Sequence, residues 1–363
     1  MSNIKRLFIA VALFSPAAFA SLGEPVDFKK IVEEDKNWTG VQIYKAESAV
    51  ATGHYDVASS HYLNVINNGL SQAANNVAVL IKEGKLSDDA IKKAIKTIER
   101  LAINDVELSA FLGDFYHTHK TLGDDRYAFK WLNNASRLGD VSSKLLVGQY
   151  IIEKKGGAHE VYSTIDALTL YKQYIEKTDD PIVTLELGKH LFEGKIVKRD
   201  YRIAAELFAK ASGAGVLEAN YWLGYQHEKG IGVKRNIEAA EQYYLESLGS
   251  PMDAEAYYQL ARLYMYGDNG TNGDYLLGVD YLKKSYELNN TMAAYRFGIM
   301  YLYGTDGFKL DVNAGVRYLE EASNAGYKLA TQKLIDVFRN GVNGVVPSHS
   351  KVREYEKRLK DNK

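Results

Sequence analysis

Side chains that could hold a metal, move a proton or attack a carbonyl are sparse in this chain. It has 363 residues and no cysteine, which removes thiol nucleophiles, thiolate metal sites and disulfides. Of the eight histidines, only His117 and His119 stand close together. A spacing of two does not put both on one face of a helix, and no carboxylate nearby completes a ligand set. The pair therefore reads as a solvated helix end, and His227, at a repeat position, as a core histidine and not a base. Asp268-Asn-Gly-Thr-Asn-Gly-Asp274 offers oxygen ligands like the start of a calcium loop, yet its twelfth place is Val279, not the acid such a loop requires. It reads as a polar insert between helices. No nucleophile elbow, phosphate-binding glycine loop or zinc-protease motif occurs. No catalytic residue, metal ligand or cofactor is assigned. The compositional surplus lies elsewhere: 27 tyrosines stand beside 12 phenylalanines and 3 tryptophans, residues suited to contact.

The elements that position these side chains are repeats. Ala219-Asn-Tyr-Trp-Leu-Gly224, Ala256-Tyr-Tyr-Gln-Leu-Ala261 and Ala293-Ala-Tyr-Arg-Phe-Gly298 align with one another, and Gly230, Gly267 and Gly304 follow each after six residues. Gly188 and Gly194 repeat the step. A second signature has Asp or Asn, a small residue four on, a bulky one at seven and a small one at eleven. Asp124/Ala128/Trp131/Ala135, Asp200/Ala204/Leu207/Ala211 and Asn236/Ala240/Tyr243/Ser247 fit it. So do Asp274/Gly278/Tyr281/Ser285 and Asp311/Gly315/Tyr318/Ala322. With Tyr171 included, the bulky positions recur every 36 to 40 residues.

Spacings of three, four and seven place these residues on one helical face. The glycines fall where a helix ends and the chain turns, and the Asp or Asn falls where an N-cap is needed. Pro181 and Pro251 are expected to open first helices. Small residues at fixed places let antiparallel helices approach closely. Each pair leaves an apolar face bare, so pairs must stack, and stacking generates a superhelix.

The Leu-Gly-x-x-Tyr/His-x-x-Gly and Asp-x-x-x-Ala-x-x-aromatic runs resemble Sel-one-like repeats, a subfamily of tetratricopeptide-type helical repeats, and Gly230-Ile-Gly-Val233 is similar to its typical loop. The resemblance implies an all-α, right-handed α/α superhelical solenoid of stacked antiparallel helix pairs. Residues 21–107 are read as degenerate repeats, 108–327 as the repeat array and 328–363 as capping helices. Between Val141 and Asp180 the pattern weakens, with Val147 in place of leucine and Thr164 in place of the acid. In related solenoids the first helices line the concave surface. That placement sets Tyr221, Trp222 and Tyr225, then Tyr258, Arg262 and Tyr266, then Tyr295, Arg296 and Tyr303 along a groove. Tyr, Trp and Arg dominate binding hot spots. Tyr221, Tyr258 and Tyr295 are equally compatible with packing between units.

Residues 1–20 read as a secretory signal: Lys5 and Arg6, an apolar run from Leu7 to Phe14, the breaker Pro16 and the cleavage pattern Ala18-Phe19-Ala20. The expected mature chain starts at Ser21 and is periplasmic or secreted. No later stretch is apolar enough to predict a membrane helix. The net charge of −1, or −3 without Lys5 and Arg6, provides no basic excess for nucleic acid. These features predict a non-catalytic adaptor holding a partner protein, such as an envelope component, in its groove. The alternatives are an immunity protein capturing a toxin such as a phospholipase, or a glycan-contacting accessory of exopolysaccharide export.

Overall fold

The computed structural model describes residues 39–195, 197–266 and 274–361; the signal-like run and the calcium-like run Asp268 to Gly273 lie outside them. Every regular element among the described residues is a helix. The chain divides into two compact units, up to Asp179 and from Asp180 onward. Unit 1 contains α1 (Thr39–Ala51), α2 (Tyr55–Asn67), α3 (Ala73–Lys82), α4 (Asp88–Leu101), a 3-10 turn (Ala102–Asn104), α5 (Val106–Thr118), α6 (Asp125–Leu138), α7 (Val141–Ile152), the short α8 (Ala158–Val161) and α9 (Thr164–Thr178). Unit 2 contains α10 (Pro181–Glu193), α11 (Tyr201–Gly213), α12 (Leu217–Lys229), α13 (Ile237–Glu246), α14 (Asp253–Tyr266), α15 (Tyr275–Glu287), α16 (Thr291–Tyr303), α17 (Val312–Asn324), α18 (Lys328–Asn340), a 3-10 turn (Val342–Gly344) and α19 (His349–Asp361).

The repeat signature maps onto this architecture through caps and close approaches. Asp124, Asp200, Asn236, Asp274 and Asp311 each accept a backbone N–H at the start of a second helix, satisfying donors that have no partner within the helix. Where the pattern weakens, Ser163 takes over the cap of α9 and Asp166 completes a capping box. Pro181 opens α10 behind the cap Asp180, whereas Pro251 sits in the turn before α14 and does not enter the helix.

The first-helix glycines are seats for the second helix. A Cβ on Gly224 would lie 2.8 Å from the Tyr244 ring, and one on Gly298 would lie 2.7 Å from Leu319. The fully buried residue of each second helix is thus one place beyond the bulky position of the sequence signature. Leu132, Phe208, Tyr244, Leu282 and Leu319 are buried, while Leu207, Tyr243, Tyr281 and Tyr318 are only half-buried. Trp131, and Tyr171 where the pattern weakens, are buried at the signature position itself. The half-buried tyrosines pack on rings of first helices instead, as Tyr318 does on Phe297 and Tyr301 at 5.6 Å each. Unit 1 is held by a core running from Ile43 to Ala167, and unit 2 by successive clusters between helix pairs. The final helix begins at His349 and buries Tyr355 against Phe338 of α18.

Candidate functional site

Four of the nine residues singled out from sequence converge in unit 2. Tyr258, Arg262 and Tyr266 from α14 and Arg296 from α16 line one cavity of 290 Å³, with Leu282 of α15 and Met265 completing its apolar wall. Helical spacing explains the convergence: 258, 262 and 266 are one turn apart along α14, and α16 is the first helix of the next pair. Tyr266 is 46% exposed at the rim. Arg296 lies over the Tyr266 ring, 4.5 Å from its centroid, donates to the Tyr266 hydroxyl and pairs with Asp306 at 3.5 Å. Its Nε is buried with no acceptor among the described residues.

Behind this cavity lies an acid that sequence reasoning missed. Glu228, near the end of α12, is 4% exposed. It accepts from the Tyr244 hydroxyl at 2.8 Å and from Arg262 Nη1 at 3.0 Å, and it also pairs with Lys229. Burial opposes its ionisation, but Lys229, Tyr244 and Arg262 together outweigh burial and hold its carboxyl below the ordinary range. Burial, with the Glu228 charge, pushes the Tyr244 hydroxyl upward. A signal was present: an acid in the last turn of a helix opposes the helix dipole, so it requires a partner. Nothing in linear spacing identified Arg262, 34 residues on, as that partner.

The other expected groove residues are placed differently. Tyr221 was expected on the side away from the core, yet it is 7% exposed and packs on Tyr244. The ring is closed in by α13 of its own pair and by Gln259 of α14 in the next; burial pushes the Tyr221 hydroxyl up to about 12, although the bond with Gln259 works the other way. Trp222 and Tyr225 are half-buried and reach back to the preceding pair. Trp222 packs on Phe192 and stacks on Phe208, and Tyr225 meets Phe192 edge-on at 5.9 Å. Tyr295 packs on Tyr327, and Tyr303 is 37% exposed with Lys333 over its ring. His227 is half-buried and stacks on Tyr243. In unit 1, His117 bonds to the Tyr150 hydroxyl and His119 stacks on Phe115, and no group of three metal-ligating side chains occurs among the described residues. No described helix is long and apolar enough to cross a membrane.

The helix pairs coincide with a known repeat: the Sel1 repeat model matches residues 110–140, 184–216, 217–247, 254–290 and 291–327. The chain is a Sel1 repeat protein. The five copies correspond to α5–α6, α10–α11, α12–α13, α14–α15 and α16–α17, and α7–α9, where Val147 and Thr164 depart from the pattern, falls between copies. Sel1 repeats are a protein-interaction type of module. The chain is similar in fold to a Sel1 repeat protein from Oxalobacter formigenes, at 21% identity over 81% of this chain and 84% of that one, with a TM-score of 0.66. It is also similar to c5321, a protective antigen of uropathogenic Escherichia coli with an SLR fold, at 18% identity over 93% of this chain and 72% of that one, with a TM-score of 0.60. In sequence it is 27% identical over 164 residues to the chitin synthase regulator SKT5 of Saccharomyces cerevisiae, covering 43% of this chain. The chain spans 23% of that regulator's length.

Proposed function

We propose that this chain is a non-catalytic adaptor that binds a partner protein on the first-helix face of unit 2, with Tyr266, Arg296 and Tyr303 as contact residues and the adjoining cavity receiving one partner side chain. The observation that carries the reading is the convergence of Tyr258, Arg262, Tyr266 and Arg296 on a single cavity of 290 Å³. Pockets for drug-sized ligands run to roughly 300–1,000 Å³, so this one suits a side chain better than a free metabolite. Its wall supplies aromatic faces and guanidinium edges, the groups enriched at interface centres, and a partner acceptor would satisfy the Arg296 Nε. The name of the yeast relative, a regulator of an enzyme, supports a role exerted through another protein. The proposal extends to the compartment: the signal-like run before Ser21 supports action beyond the inner membrane, which N-terminal sequencing of the chain from its native cells would test.

The partner-binding test compares two baits in envelope extract, the native chain and a Tyr266→Ser/Tyr303→Ser variant. Both hydroxyl-bearing rings are exposed, so the exchange leaves the fold intact. A stoichiometric protein held by the native bait and released by the variant is the expected result. Equal retention by both baits would refute the assignment of this face.

A further inference from the structure

Unit 1 contains a second cleft of opposite character, and we infer that it is a binding site for a phosphate-class oxyanion. The cleft has a volume of 570 Å³ and lies between α4 and α6. Lys96 and Arg100 line it from α4, and Lys130 and Arg137 from α6. All four are exposed, and none forms an ion pair among the described residues. The one acid on the wall, Glu99, accepts from the Tyr116 hydroxyl at 3.0 Å. The cleft therefore carries a surplus of positive charge that the protein does not itself neutralise.

Two of its uncharged polar residues add donors in want of acceptors, whereas the Asn134 amide is already spent on the Ile103 carbonyl and the Ser109 hydroxyl. Asn133 spends its carbonyl oxygen on the Tyr162 hydroxyl at 3.0 Å, which leaves its amide N–H groups to donate. Trp131 lines the cleft at 2% exposure, and its indole N–H is buried without an acceptor. Indole N–H, guanidinium and ammonium groups donate and cannot accept, so the fitting ligand is rich in acceptor oxygens and carries more than one negative charge. Phosphate esters and pyrophosphates meet both conditions, and arginine's planar fork matches their geometry. Like charges along two neighbouring helices repel one another, and a bound oxyanion removes that repulsion.

The test titrates inorganic pyrophosphate into the full chain at low ionic strength. Native protein is expected to bind with one-to-one stoichiometry, with affinity falling as salt is added. A Lys96→Gln/Arg137→Gln variant is expected to bind about tenfold or more weakly, while its thermal midpoint stays at the native value. A control, Arg202→Gln/Lys234→Gln, removes the same charge from exposed positions in unit 2 and is expected to bind like native protein. Vesicles of phosphatidylglycerol then separate the sources. Sedimentation with them that pyrophosphate reverses assigns the site to a lipid headgroup; pyrophosphate binding without sedimentation assigns it to a soluble phosphate ester. Absence of pyrophosphate binding, or equal weakening in the unit 2 control, would overturn the inference.

Discussion

The clefts of the two units both present cations, but they differ in what becomes of the charge. In unit 2, Arg262 is committed to buried Glu228 and Arg296 to Asp306, so the guanidinium groups order the α12–α14–α16 face and stiffen its tyrosines. In unit 1, Lys96, Arg100, Lys130 and Arg137 face a cleft whose one acid, Glu99, is bonded to the Tyr116 hydroxyl, and the surplus charge is left for whatever enters. Paired charge behaves as structure: removing one partner strands the other, and stability falls. Unpaired surface charge contributes little to folding and much to attracting an oppositely charged ligand.

That contrast can be broken at several points. The largest stability loss is expected for Trp222→Ala, which empties the space against Phe192 and Phe208; a half-buried tryptophan should cost about 3 kcal/mol in urea unfolding. A loss below about 1 kcal/mol would return Trp222 to the free surface. Glu228→Ala leaves the Tyr244 hydroxyl and Arg262 without their acceptor and should cost about 2–3 kcal/mol. The same acid makes stability depend on pH. Its folded pKa lies below the ordinary 4.5, so its contribution is complete above that value and fades as pH falls through the folded pKa. Melting curves taken from about pH 6 down to about pH 3 should show a steeper loss for native protein than for Glu228→Gln. Gly224→Ala forces a Cβ against the Tyr244 ring and should cost about 1–3 kcal/mol, whereas Gly213→Ala, which meets nothing within 4 Å, should be close to neutral. The smallest effect is expected in the cationic cleft, where Lys96→Gln/Arg137→Gln should shift stability by less than about 0.5 kcal/mol. A large destabilisation there would mean that these charges are structural and would erase the difference between the units.

Much of the fold was legible because it is written in local physics. An Asp or Asn capping a helix and a glycine under a facing ring act within one helix pair, and both recur at fixed spacing. The candidate site was legible only in part. One-turn spacing put Tyr258, Arg262 and Tyr266 on one line, but the partners that decide each residue's role come from other repeats. Tyr221 packs on Tyr244 of its own pair but bonds to Gln259 of the next, Trp222 is held by the preceding one, and Arg262 is anchored by an acid 34 residues away. The cleft of unit 1 was illegible for the same reason: Lys96 and Arg137 belong to helices brought together across α5, and no sequence signature links them.

The central claim is that the partner is read by the first helices of unit 2. Hydrogen–deuterium exchange of the native chain, with and without the captured partner, tests it most directly. Slowed exchange is predicted along α14 and α16, around Tyr258 to Tyr266 and Tyr295 to Tyr303, with α4 and α6 unchanged. Protection confined to α4 and α6, or to the second helices α15 and α17, would contradict the account.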